Sequence, residues 1–176
     1  MSFSNLLILI SVAAFLGFFV SIFLFFILLP ILRGAPFLPT HKERIERAIK
    51  LVELSSNQKV VDLGSGDGRV LIACAKKGAK AVGFEINPFL VWRANRNIKK
   101  EGLNNLAVAK WKNFWWQDLS DFDIIFVYGI GHIMKGLEKK LQKELKPGTK
   151  VVSLIFQFPN WQPKKEEKGI YIYWKE

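Results

Sequence analysis

Hydrophobic positions divide the chain into two parts with different patterns. From Phe3 to Leu32 there is no charged side chain, and Leu6 to Leu32 is apolar almost without interruption. A helix crosses the hydrocarbon core of a bilayer with roughly 20 apolar residues, so residues 1–33 are expected to form a retained transmembrane anchor. A cleaved signal peptide would carry a charged n-region, a shorter apolar core and a small-x-small cleavage site. Here the first charge is Arg33 and the run is longer. Arg33, Lys42, Arg44 and Arg47 follow the span and nothing basic precedes it. The positive-inside tendency then predicts a single-pass membrane protein with the rest of the chain on the cytoplasmic side.

Beyond the run, apolar residues recur with helical and strand periods in turn. Gly34 to Pro39 reads as a linker, and Thr40 as a helix N-cap with Glu43 three residues on, the capping-box spacing. Ile45, Ala48, Ile49 and Val52 share one helical face, giving an amphipathic helix to about Leu54. Residues 34–57 are therefore assigned to linker and helix, and 58–176 to a further domain. Strands are expected at Lys59–Leu63, Lys80–Phe84, Leu106–Lys110, Phe122–Tyr128, Lys150–Phe156 and Ile170–Trp174. Helices are expected at Asp67–Lys77, from Asn87 (N-cap, with Pro88 first in the helix) to near Gly102, and at Ile133–Leu145. This alternation predicts an α/β fold, a parallel sheet with helices on both faces. Ligands in such sheets bind beyond the C-terminal strand ends.

Composition changes this picture in two respects. The 176 residues carry a formal charge of +11, all of it outside the apolar run. The single cysteine, Cys74, excludes an intrachain disulfide and a multi-cysteine zinc site, and it reads as core filler; no metal is expected.

The candidate chemistry lies in VVDLGSGDGR, Val60 to Arg69, which ends one strand and opens one helix. Gly64, Gly66 and Gly68 allow a tight turn and close approach of a ligand. Asp62 stands two residues before the first glycine, and Glu85 ends the next strand. A dinucleotide loop needs glycine or alanine where this chain has Arg69. The spacing D-x-G-x-G-x-G instead resembles the S-adenosylmethionine loop of class I methyltransferases. That ligand has no phosphate; its ammonium favours an acidic strand end, and Glu85 is placed to accept from both ribose hydroxyls.

Further segments resemble the membrane-associated lysine methyltransferases that act on ATP synthase c-subunit and adenine nucleotide translocase, with their prokaryotic relatives. The resemblance runs through APFLPT, VVDLGSGDGRV, AVGFEINPFLVWRAN, DIIFVYGIGHIMKGLEKKLQKEL and FQFPNWQP. It implies a Rossmann-like class I methyltransferase fold and S-adenosyl-L-methionine as cofactor. It also implies transfer of a methyl group to a lysine of a membrane protein. Asp62, Gly64, Ser65, Gly66 and Glu85 would bind the cofactor. Asn113 stands where such enzymes usually carry an acidic residue beside the adenine; an amide also bonds an adenine edge. No N-P-P-Y or D-P-P-Y follows the fourth strand, which argues against methylation of adenine or a glutamine amide.

Other residues carry two readings each. His132 would accept a proton or orient an amine, or simply start a helix. Trp115 and Trp116 would line a pocket, or pack in the core or at a membrane-facing rim. Lys164 and Lys165 would be a solvated face, or hold the domain to anionic lipid. Nucleic acid is not expected as a partner, because the anchor would confine the chain away from most of it. The alternative functions are methylation of a small molecule or lipid, and cofactor binding without catalysis.

Overall fold

The computed structural model describes residues 3–33, 41–129 and 131–176, and only the backbone of residues 3, 8 and 25–33. The chain divides into two compact units, Met1–Pro36 and Phe37–Glu176.

The described residues of the first unit form one helix, α1 (Phe3–Arg33). Its stretch Ser4–Leu24 has a mean hydropathy of 2.8 and none of it is buried. The hydroxyls of Ser11 and Ser21 donate back to the carbonyls of Leu7 and Gly17, at 2.9 and 2.8 Å. These polar groups are thus satisfied within the helix.

The second unit is built on a seven-stranded sheet. Its elements are α2 (Lys42–Leu51), β1 (Lys59–Leu63), α3 (Arg69–Ala75), β2 (Lys80–Glu85), α4 (Pro88–Lys100), β3 (Ala107–Trp111), β4 (Ile124–Val127), α5 (Gly131–Glu144), β5 (Lys150–Leu154), β6 (Lys165–Glu167) and β7 (Ile170–Trp174). A one-turn 3-10 helix, Phe114–Trp116, follows β3. The strand order is β3-β2-β1-β4-β5-β7-β6. The first five strands are parallel, as the alternation predicted. β7 runs antiparallel to β5 because it returns by a hairpin from β6, not through a helix.

Alternate strand residues face two separate cores. On one face, Val60, Ala81, Ala107, Phe126 and Ile172 pack against α2, α3 and α4. On the other, Val61, Leu63, Ile125, Val151 and Tyr173 pack against α5 and the loops carrying Phe114 and Phe158. α2 belongs to this unit: Ile45, Ala48, Ile49 and Val52 are buried in the first core. Cys74 is buried there too, and burial pushes its thiol pKa up, so it is the inert filler expected of it.

Several boundaries differ from expectation. The linker and Thr40 lie outside the described residues. The N-cap position of α2 is held by His41, whose side chain makes no cap bond. α3 starts at Arg69, not Asp67, because Gly68 holds left-handed backbone (φ 82°) that a helix cannot include. β5 stops at Leu154 because Ile155 is also left-handed, with φ 73°.

Candidate active site

β1 and β4 are neighbours, yet the chain leaves β1 toward β2 and β3 and returns to β4 on the other side. Such a reversal opens a crevice at the C-terminal strand ends. The row β3-β2-β1 places Asn113, Glu85 and Asp62 along one edge of that crevice, with the glycine loop over its centre.

The loop is pinned at several points. The N–H groups of Gly64 and Ser65 both donate to the Phe84 carbonyl, at 2.9 and 3.2 Å. Gly66 N–H donates to Glu85 Oε2 at 3.0 Å, and Asn87 N–H to Glu85 Oε1 at 2.9 Å. Each Glu85 oxygen keeps further lone-pair capacity. Asp67 is bridged by Arg69 through both oxygens, at 2.9 and 2.7 Å, and this guanidinium holds its carboxyl below the usual range. The Asp67 carbonyl accepts from Asn97 Nδ2 at 3.0 Å. α4 lies close because Gly68 has no side chain: a Cβ there would meet Ala94 Cβ at 3.0 Å. Asn97 and Gly83 were missed by sequence reasoning; their roles depend on contacts across elements.

Two features point to a ligand. A Cβ added at Gly64 would meet nothing within 4 Å, so the space beside the loop's first glycine is open. Ser65 Oγ is the one buried side-chain polar atom without a hydrogen-bond partner among the described residues. Buried polar groups are normally satisfied, and this exception lies at the glycine loop, beside Gly83 and Leu71. Asp62 is almost fully buried, and burial followed by repulsion from Glu85 and Asp67 pushes its pKa up to about 8. A cationic ligand would reverse that shift.

Asn113 caps the one-turn helix, accepting from Trp115 N–H at 3.0 Å, and its neighbour Lys112 donates to the Glu85 carbonyl. His132 is exposed in the first turn of α5, after β4. Trp115 packs on the second core, 3.3 Å from where a Gly136 Cβ would stand, while Trp116 is exposed. Lys164 and Lys165 are engaged with Glu176 and Glu53, both at 2.6 Å.

At the far end of the crevice, the segment after β5 is held from two sides. Phe158 N–H donates to Tyr173 Oη at 3.2 Å, and Asn160 N–H to the buried Glu138 Oε2 at 3.0 Å. The rings of Phe158, Trp161 and Tyr173 form one cluster, with centroids 4.9–5.6 Å apart. A separate hollow of about 940 Å³ between α2, α3 and α4 shares Asp67 and Arg69 with the loop but includes none of Asp62, Glu85 or Asn113. Chemistry, not volume, therefore locates the site.

The sheet order, the loop and the two acidic strand ends define a Rossmann-like class I methyltransferase fold. The solved structure of an RNA methyltransferase from Salinibacter ruber, in complex with S-adenosyl-L-homocysteine, superposes with a TM-score of 0.73 at 32% identity, covering 78% of this chain and 92% of that one. The family model described as the ANTKMT methyltransferase domain matches residues 62–165, and the chain belongs to that family. It is 37% identical to a protein-lysine N-methyltransferase of Saccharolobus islandicus over 148 residues, 78% of this chain and 92% of that protein. It is 38% identical over 140 residues to the human lysine N-methyltransferase of the ATP synthase c-subunit, 79% of this chain. The chain spans 60% of that human relative's length.

Proposed function

We propose that this chain transfers a methyl group from S-adenosyl-L-methionine to a lysine side chain of a membrane-associated protein. The observation that carries the cofactor is the set formed by Glu85, bonded to both loop and α4, the open space at Gly64 and the orphaned Ser65 hydroxyl. Glu85 accepts from the ribose hydroxyls, Asp62 faces the ammonium, Gly64 and Gly66 allow close approach, and Asn113 meets the adenine. When bound, the cofactor supplies an electrophilic methyl group on a sulfonium.

The lysine target is supported by the names of the relatives from Saccharolobus islandicus and human. An attacking lysine must be neutral, and deprotonating an ordinary one at pH 7 costs about 4.6 kcal/mol. A low-dielectric crevice next to a cation lowers that cost. The remaining work of the protein is in-line positioning.

α1 serves as a membrane anchor over residues 1–33. Residues 34–57 are the linker and amphipathic helix, and 58–176 carry the chemistry on the cytoplasmic side. Its length, its hydropathy and the one-sided placement of Arg33, Lys42, Arg44 and Arg47 support this reading. Anchoring confines enzyme and target to one plane and raises their effective concentration without any new contact.

Incubating membranes with the enzyme and cofactor labelled in its methyl group tests the proposal. Label is expected in protein, at a lysine located by mass spectrometry. Label in lipid or a small molecule, or in RNA as the name of the Salinibacter ruber protein suggests for that enzyme, would overturn the lysine assignment. No transfer to any class would overturn catalysis itself.

A further inference from the structure

Among the described residues, four of the five exposed aromatic side chains of the second unit lie together, and the fifth, Trp174, is on β7. Phe89, Trp92, Trp111 and Trp116 are 55–77% exposed, and all lie at the C-terminal corner of the sheet formed by β2 and β3. Phe89 and Trp92 stand one turn apart on α4, with ring centroids 5.7 Å apart. Trp111 reaches the same corner, its indole N–H donating to the Ile86 carbonyl at 3.0 Å. Trp116 follows on the one-turn helix.

The charge around these rings has one sign. Residues 86–117 contain six Lys and Arg and a single acidic residue, Glu101, which is paired with Lys76 at 2.7 Å. Arg96 lies over the Trp92 ring at 5.4 Å. Arg93, Lys110 and Lys112, which neighbour Trp92 and Trp111 in sequence, are exposed. Scattered exposed apolar residues are ordinary, but large aromatics gathered among cations are not. Trp is favoured at the headgroup level of a bilayer, and basic side chains beside it are attracted to anionic lipid.

We propose that this corner is a docking surface for an anionic lipid bilayer, formed by the second unit itself and separate from α1. Its charge complements anionic headgroups, and its rings fit the boundary between headgroup and acyl chain. The contact sets the crevice edge beside Glu85 and Asn113 at the membrane surface, where a juxtamembrane lysine is within reach. The orientation goes beyond an anchor, which fixes distance only.

All six tryptophans lie between Trp92 and Trp174, so none is in α1 and their fluorescence reports the second unit alone. The full chain is reconstituted in vesicles whose acyl chains are brominated near the headgroup. Vesicles of phosphatidylcholine alone are compared with phosphatidylcholine plus phosphatidylglycerol. Tryptophan quenching is expected to rise when the anionic lipid is present. It is expected to fall to the neutral-vesicle level in Arg96→Glu with Lys110→Glu. Phe89→Ser, which keeps every tryptophan, should also reduce it. Unchanged thermal melts of both variants in neutral vesicles establish that they fold. Flotation with neutral vesicles reports α1 independently, so failure of the anchor and failure of this surface are distinguishable. Quenching equal in both lipids, or unaltered by both variants, would overturn the proposal. So would loss of single-stranded RNA binding by the charge variant with quenching intact, which would assign the corner to nucleic acid.

Discussion

Gly66 N–H donates to Glu85 Oε2 at 3.0 Å, so one carboxylate ties the glycine loop of one strand to the end of the next. The same carboxylate holds Asn87 N–H at the start of α4. Glu85→Ala removes these bonds and the two proposed ribose bonds; hydrogen bonds to a charged group contribute about 1.5–3 kcal/mol each. Cofactor affinity should fall at least ~tenfold. Glu85→Gln keeps one acceptor oxygen and should lose less. Calorimetry giving equal affinity for Glu85→Ala and the unaltered chain would falsify the ribose assignment.

Asp62 makes cofactor binding depend on pH. Its folded pKa is pushed up to about 8, against 3.8 for an ordinary aspartate, first by burial and then by Glu85 and Asp67. Between those values the folded chain holds a proton that the unfolded chain has lost. Stability without cofactor is therefore expected to fall as pH rises from about 4 to about 8, and to level off above. A cationic ligand favours the ionised form, so binding should release protons below pH 8 and tighten as pH rises toward it. Calorimetry in buffers of different ionisation enthalpy measures that release. Asp62→Asn should abolish it; release that persists in this variant would assign the proton to another group.

Much of this site is local in sequence, and for that reason legible. The positions of Asp62, the glycines and Glu85 depend on strand ends and a turn, and VVDL and AVGFE carry strong strand patterns. Asn87 with Pro88 marks the start of α4, and its side chain accepts from Phe89 N–H at 3.0 Å. Other features depend on partners distant in the chain. β6 is Lys165–Glu167, three charged residues of weak strand preference held at the sheet edge by pairing with β7. The direction of β7 follows from that hairpin, not from its own apolar pattern. The expected helix extends back to Asp67 in the sequence, through Gly68, whose left-handed backbone forbids the earlier start of α3. The environment of Trp115 is set by Gly136, a helix glycine whose missing side chain leaves room for the ring.

Gly83 shows how tightly the loop is fitted. It pairs with Asp62 in register, and a Cβ added there would stand 2.4 Å from Ser65 Oγ, 2.5 Å from Ser65 Cβ and 2.7 Å from Leu71 Cδ1. Overpacking of this kind typically costs about 1–3 kcal/mol. Gly83→Ala should lower the melting temperature and weaken cofactor binding together. Adding Ser65→Gly removes two of the three clashes and should restore part of the stability. A double-mutant cycle reads this as a non-additive coupling. Strict additivity would show that the two residues do not compete for the same space.

The segment after β5 provides a test that separates substrate from cofactor. Tyr173 is fully buried, and its oxygen accepts from Phe158 N–H at 3.2 Å. Tyr173→Phe leaves that buried N–H without its partner, a penalty of about 1–3 kcal/mol. Glu138→Gln weakens the corresponding hold on Asn160. Neither side chain bonds the glycine loop, Glu85 or Asn113 in the structure. If Phe158 to Trp161 shape the place where the target lysine enters, both variants should raise KM for the protein target or lower kcat. The dissociation constant for the cofactor should stay the same. Methyl transfer and cofactor binding, measured on one preparation of each variant, check this. Cofactor affinity that fell in step with activity would move the segment to the cofactor side of the crevice.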